Sequence, residues 1–311
     1  MSGFKLPKTS IAAWIWAACC ALVAGGCTSG PYEYGRFDTA NDHHVQEVAV
    51  DVGEPHQQLD RMSDAISWPA RKLFPDRPDK RVIQPETTER VATYLQKNDL
   101  SDVYVSVRDY QPKDQWRRLR SNERLSPLVR YSLGSLSVAR YTLLPDRVFG
   151  GNRYNPYTNT LYVNSDRPAA VLYEAAFAKN MRSRRLPGAY AAMSSLPILS
   201  LRPAIDGAEE VLGYAQTESD WELEQDTYRQ VYPRVVAAGA RGGSQFVPVW
   251  WGGPVLGLGG AAVGGVAGQA MLARRESQRK EAHLDDETAQ QAAWTAPPEG
   301  SQATAVRHAA P

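Results

Sequence analysis

Residues 160–180 read Thr160-Leu161-Tyr162-Val163-Asn164-Ser165-Asp166-Arg167-Pro168-Ala169-Ala170-Val171-Leu172-Tyr173-Glu174-Ala175-Ala176-Phe177-Ala178-Lys179-Asn180, and this stretch decides the fold class. Thr160–Val163 is β-branched, aromatic and apolar, which predicts a strand. Ser165-Asp166-Arg167-Pro168 is a helix-start signal: short polar residues stand ahead of a proline in the first turn, where its missing N–H costs nothing. Ala169 to Met181 then predicts a helix. Lys179, Arg182, Arg184 and Arg185 lie at its end, where cations suit the negative pole of the helix dipole, and Leu186-Pro187-Gly188 stops it. Tyr173, Phe177 and Met181 recur at i, i+4 and i+8, an apolar stripe that reads as core packing.

Downstream, Pro203–Thr217 and Trp221–Ala238 predict two more helices, the second opening on Ser219-x-x-Glu222, a capping-box pattern. Glu224 shares a helical face with Tyr228, Val231 and Val235. A carboxylate in an apolar stripe is costly unless it is paired or hydrogen-bonded. Either it faces a polar site, or it sits in the first turn and is stabilised by the dipole. Upstream, Thr88 caps an expected helix carrying Val91, Tyr94 and Leu95. Asp102–Val107, with alternating Val103, Val105 and Val107, reads as a strand. Periodicity leaves Leu128–Val148 open between helix and extended chain, and Asn155-Pro156 opens a turn. These elements place the compact domain at 86–242. Leu59, Met62, Ile66 and Leu73 recur near helical spacing, broken by Pro69, and suggest a short helix in a linker punctuated by Pro75, Pro78 and Pro85.

The chain has 311 residues, 43% hydrophobic and 22% charged, with a net charge of +1. That allows a sizeable core and excludes collagen, wholesale disorder and bulk attraction to nucleic acid. All three cysteines lie within the first 27 residues. Lys5 and Lys8 precede the uncharged run Ile11–Val23, too short to span a bilayer comfortably but right for an export signal over 1–26. The run ends in Ala24-Gly25-Gly26-Cys27, which resembles a bacterial lipoprotein lipobox. This implies that Cys27 carries a diacylglycerol, of the palmitate kind, and becomes the new N-terminus. No intramolecular disulfide is then possible. Residues 27–85 read as the anchored tether and linker, which puts the protein in a bacterial cell envelope, facing the periplasm, in either the inner or the outer membrane.

Near the C-terminus, 246–272 carries no charge, and Val255–Leu272 is a candidate apolar helix. Gly260, Gly264 and Gly268 repeat every four residues, a spacing that lets helices approach closely. Trp250 and Trp251 suit an interfacial belt and Arg274-Arg275 a flank. The reading is a transmembrane or helix-packing segment. Residues 276–311 read as a disordered tail. A Gly-rich phosphate loop and a Gly-x-Ser-x-Gly elbow are both absent from the sequence, and Arg117, Arg118 and Arg120 read as a solvated face.

The segment Leu172–Asn180 resembles the metal-binding helix of the zincins, whose His-Glu-x-x-His places two imidazoles on one face with Glu as general base. Here the same positions read Tyr173-Glu174-x-x-Phe177. The strand just before it matches the edge strand that pairs with substrates in zincins, and Glu224 stands where the gluzincin branch carries its third ligand. The likeness is to gluzincin metallopeptidases related to the CAAX prenyl proteases, over roughly 88–240. It implies an α+β, zincin-like domain, with a small sheet packed on an active-site-type helix, followed by the Gly-rich C-terminal helix. Phe177 has no lone pair, and Tyr173 would ligate only as phenolate, far from its usual state. Recruiting His43 and His44 from the tether would cost ordering entropy. The expectation is a pseudo-metallopeptidase without zinc or other cofactor: Glu174 a vestigial base, Tyr173, Phe177 and Glu224 vestigial ligand positions. Its partners would be membrane lipid through Cys27 and a peptide or protein at the old cleft or the glycine helix, with no nucleic acid. The alternatives are a membrane-associated hydrolase using substitute zinc ligands or a Glu174/Glu224 acid–base pair, and a purely structural envelope scaffold.

Overall fold

The computed structural model describes residues 32–37, 47–54, 56–73, 82–149, 151–195, 199–243 and 252–295. It is α+β, mostly helical, with one small mixed sheet. Four strands, β1 (Val50–Val52), β2 (Tyr104–Val107), β3 (Arg153–Asn155) and β4 (Thr160–Val163), lie in the order β1-β2-β4-β3. β1, β2 and β4 are parallel, and β3 is antiparallel to β4. The register Val105↔Leu161 and Val107↔Val163 stacks the apolar residues of β2 and β4 on one face.

That face is covered by α7 (Pro168–Arg182), the helix expected from the sequence. Ala169, Ala170, Val171, Leu172, Ala175, Ala176 and Ala178 are all buried. Burying each Leu or Val contributes about 1.5–3 kcal/mol, and the alanines let neighbouring backbones come close. α7 packs on α9 (Leu201–Thr217), the helix with which it makes its largest interface, and on α10 (Trp221–Gln230). The other face of the sheet carries Tyr104, Thr160 and Tyr162. It is covered by α3 (Pro112–Ser121) and by the helical run of α4 (Pro127–Val129), a π-helical stretch Arg130–Gly134 and α5 (Ser135–Leu143). The Arg118 guanidinium lies 3.5 Å over the Tyr104 ring, Thr160 donates to Gln115 at 3.3 Å, and Tyr141 stacks on Tyr162 at 4.9 Å. Leu128–Val148 is therefore helical, ending in α6 (Asp146–Phe149).

Several local expectations shift for visible reasons. α7 has Pro168 in its first turn, but no side chain caps it. Asp166 instead reaches across to α2 (Pro85–Lys97), accepting from Thr87 Oγ1 at 2.6 Å and from the Gln84 amide. α10 is capped by Asp220, which accepts from the Leu223 amide at 3.0 Å, whereas Ser219 takes a left-handed φ of 57°. The helix predicted over Trp221–Ala238 is two, because Pro233 stands in the first turn of α11 (Tyr232–Gly243). α1 (Gln57–Leu73) runs on through Pro69. More of the N-terminal chain is ordered than a tether requires: β1 completes the sheet, and Tyr32–Phe37 lies against the helices.

The chain separates into a unit ending at Gly268 and a second from Gln269. α12 (Gly252–Thr295) opens in the first. There Gly260, Gly264 and Gly268 face α11 and the end of α10. A Cβ on Gly264 would lie 2.8 Å from Pro233 Cα, and one on Gly268 would lie 2.2 Å from the Tyr228 carbonyl. The glycine repeat thus packs helix on helix within the chain. Among the described residues no helix is long and apolar enough to cross a membrane. This corrects the transmembrane reading of Val255–Leu272: glycine and alanine add little apolar surface, and α12 runs on through charged sequence. In the second unit 276–295, expected as a tail, is helical, and 277–288 are exposed. Its Ala, Gln, Glu, Arg and Lys content favours helix. The signal segment, Cys27, His43, His44, Trp250, Trp251 and 296–311 lie outside the described residues.

Gly265 sits beside this seam with nothing within 4 Å of an added Cβ. Gly265→Ala should raise stability by about 0.5–1 kcal/mol through helix propensity. Gly264→Ala should lower it by about 1–3 kcal/mol by overpacking against the α11 backbone. Denaturant unfolding of the two variants checks this, and equal shifts would refute the packed seam.

Candidate functional site

Glu174 lies mid-way along α7, and its Oε2 accepts from the Tyr154 amide at 3.1 Å. Tyr154 is the central residue of β3, the edge strand, paired with Leu161 of β4. The strand before the helix, Thr160–Val163, is therefore interior, between β2 and β3. This corrects the edge-strand expectation: the Asn155-Pro156 turn reverses the chain and adds a short outer strand that three residues were too few to signal. Asn155 Oδ1 stabilises this turn by accepting from the Tyr157 amide at 3.1 Å.

Withdrawal from water pushes the Glu174 carboxyl above its ordinary value. The Tyr154 amide, Arg234 and Arg153 oppose this without cancelling it, and Asp146 adds to the rise. Arg153 itself is tied to buried Asp146 at 2.7 Å. Arg234, from α11, was not singled out by the sequence. No motif marks it, and its charge acts on Glu174 from 60 residues further along the chain.

The positions flanking Glu174 hold packed rings. Tyr173 lies against α9 at Gly207, where an added Cβ would come within 2.9 Å of the ring. Burial and the adjacent Glu174 hold its phenol well above the usual value, against the pull of Arg234. That opposes the phenolate a metal would need. Phe177 stacks on Tyr190 at 5.2 Å and tilts toward Tyr154 at 5.9 Å. Ring pairs of this kind contribute about 0.5–1.5 kcal/mol beyond their buried area. Tyr190 comes from α8 (Pro187–Ser195) and was not anticipated; the sequence there reads as an apolar, proline-interrupted stretch.

Glu224 is buried in the first turn of α10, with Gln216 Nε2 at 3.3 Å. Its place in the first turn is the helix-N-terminal one that the sequence allows. The charges acting most strongly on Glu174 are Arg234, Arg153 and Asp146 rather than Glu224. Among the described residues, no group of three or more His, Cys, Asp or Glu is placed to hold a metal ion. The chain matches no family model, no curated protein and no solved structure.

A carboxyl whose folded pKa is raised favours the fold at low pH, and this contribution is lost as pH rises through the raised value. Glu174→Gln keeps an acceptor for Tyr154 and removes the ionisation. Relative to the wild type it should be more stable at pH 8 than at pH 4. Glu174→Ala should cost about 1–3 kcal/mol by stranding the amide. Urea titrations at the two pH values test this. A Gln variant with the same stability difference at both would show that Glu174 is freely solvated.

Proposed function

We propose that the protein is a catalytically inactive, metallopeptidase-like envelope lipoprotein whose work is binding or scaffolding. The observation that carries the reading is the filling of the cleft around Glu174. Where the resemblance puts two imidazoles and a metal, Tyr173 packs on Gly207 and Phe177 stacks on Tyr190. The carboxylate in the position of the base is engaged with the Tyr154 amide. A zincin-like ancestry accounts for a helix that keeps an ionisable, largely desolvated Glu between two aromatic residues.

The side chains here are suited to holding a shape. A catalytic zinc needs three protein ligands and an open water position. Phe177 offers no donor, and the Tyr173 phenol is held protonated. A Glu174/Glu224 acid–base pair would require the two carboxyls to flank one reacting group, and Glu224 is occupied near Gln216. An extended peptide adding to β3 would have to displace Glu174 from the edge amide. The surface of a folded partner is therefore the more economical ligand.

The mature chain purified with zinc in the buffer should contain no stoichiometric metal, and the Tyr173→His/Phe177→His variant should gain zinc affinity in the micromolar range. Metal analysis before and after chelation decides the matter. Stoichiometric, chelator-removable zinc in the wild type would overturn the proposal in favour of substitute ligands.

A further inference from the structure

Five of the six residues of Tyr32–Phe37 are hydrogen-bonded to the folded unit. Tyr32 donates to Asn98 Oδ1 at 2.8 Å, and the Gly35 amide donates to the same oxygen at 3.0 Å. Tyr34 donates to Glu218 at 2.6 Å, and the Phe37 amide donates to Asp99 at 3.1 Å. The Glu33 carbonyl accepts from Lys179 Nζ at 2.5 Å. Lys179, buried near the end of α7, also donates to Glu210 at 2.6 Å and lies 4.1 Å over the Tyr32 ring. Tyr32 packs on α9, where a Cβ on Gly213 would meet its ring at 3.1 Å. A segment bonded through both backbone and side chains, with a buried ammonium beneath it, is a clasp and not a flexible spacer.

Tyr32 follows Cys27 by five residues, and five residues reach at most about 18 Å. The chemistry of the surface beside the clasp suits a lipid interface. Arg182, paired with Asp102, lies over the Phe37 ring at 5.5 Å. Arg184 lines a groove of mixed charge with Arg36, Phe37, Glu33, Glu209 and Glu210, and the unmixed basic surface begins at the turn beyond it. The turn that follows is Arg184-Arg185-Leu186, with no acid from Arg182 to Gly188. Leu186 is 71% exposed. Arg184 shares Asp206 with Arg202, whereas Arg185 makes no ion pair among the described residues. Next to this turn, Gly188 approaches Val129, whose neighbour Leu128 is 80% exposed. Cations flanking protruding leucines are the composition of an interfacial contact with anionic lipid.

We propose that the Tyr32–Phe37 clasp seats the folded unit directly on the bilayer that holds Cys27, with the α7–α8 turn around Arg185 and Leu186 against anionic lipid headgroups. This rests on the reading of Cys27 as a lipid anchor. It goes beyond that reading by fixing which face meets the membrane and how closely.

The test uses the full chain, exported and lipidated by a bacterial host. Mass spectrometry of the N-terminal peptide first reports diacylglycerol on Cys27; an unmodified Cys27 overturns the anchor reading and the proposal with it. Thioether formation removes the Cys27 thiol, so Leu186→Cys and Leu143→Cys each supply a single labelling site. Leu143 is 79% exposed on α5, across the sheet from α7. Fluorophore-labelled protein is reconstituted into phosphatidylcholine vesicles with 30% phosphatidylglycerol and headgroup-nitroxide lipid. The label at 186 should be quenched at least threefold more than the label at 143. Twenty Gly/Ser residues inserted between Gly30 and Pro31, or Tyr32→Ala with Asn98→Ala, should reduce that difference to less than half. Equal quenching at both sites on a lipidated chain overturns the proposal while the anchor stands. Quenching at 186 that survives both the insertion and the clasp variant overturns the role of the clasp.

Discussion

The approach of α7 to the sheet and to α9 is the constraint on which the remaining structure depends. It is possible because the inward positions of α7 are mainly alanine and because Gly207 admits the Tyr173 ring. Leu161 and Val163 of β4, Val105 and Val107 of β2, and Val211 and Ala215 of α9 all belong to the core that this helix closes. A larger residue at Ala175 or Ala176 would separate layers that close packing holds together. The same closeness brings Glu174 within reach of β3 and Lys179 within reach of the N-terminal segment. One helix thereby fixes the edge strand at its middle and the clasp near its end.

The helix itself was legible in the sequence because its signals are local: a proline in the first turn, a continuous alanine-rich run, and basic residues before a Pro-Gly stop. β2 and β4 were legible because their valines and leucines alternate or cluster. β3 and β1 were not. Three residues carry no usable period, and each is a strand because a longer neighbour offers it hydrogen bonds. Position within the sheet is likewise a long-range property, so β4 could be recognised as a strand but not as an interior one. The glycine repeat of 260–268 was read with the right geometry and an open partner. Spacing reports that a backbone comes close, while the identity of that backbone, here α11 of the same chain, depends on tertiary packing.

The candidate site divides in the same way. Tyr173, Glu174 and Phe177 were identified from one turn of helix and lie together. Arg234, Arg153 and Tyr190 reach them from three other elements, and no spacing links those elements. The energetic oddity is Glu174. A core helix normally carries a neutral residue where water is excluded, yet here burial raises the pKa of a carboxyl further than one amide and two guanidinium groups lower it. A position that serves packing alone would be as well filled by Gln.

The clasp also has a consequence for the order in which the molecule is built. Tyr34 meets Glu218 across a separation of 184 residues, and Tyr32 meets Gly213 on the same helix. During synthesis the clasp is therefore made before its partners and cannot close until α9 has followed it. Contacts this distant in sequence are slow to form. Until α9 is made, the tyrosines of the clasp lack the partners that hold them.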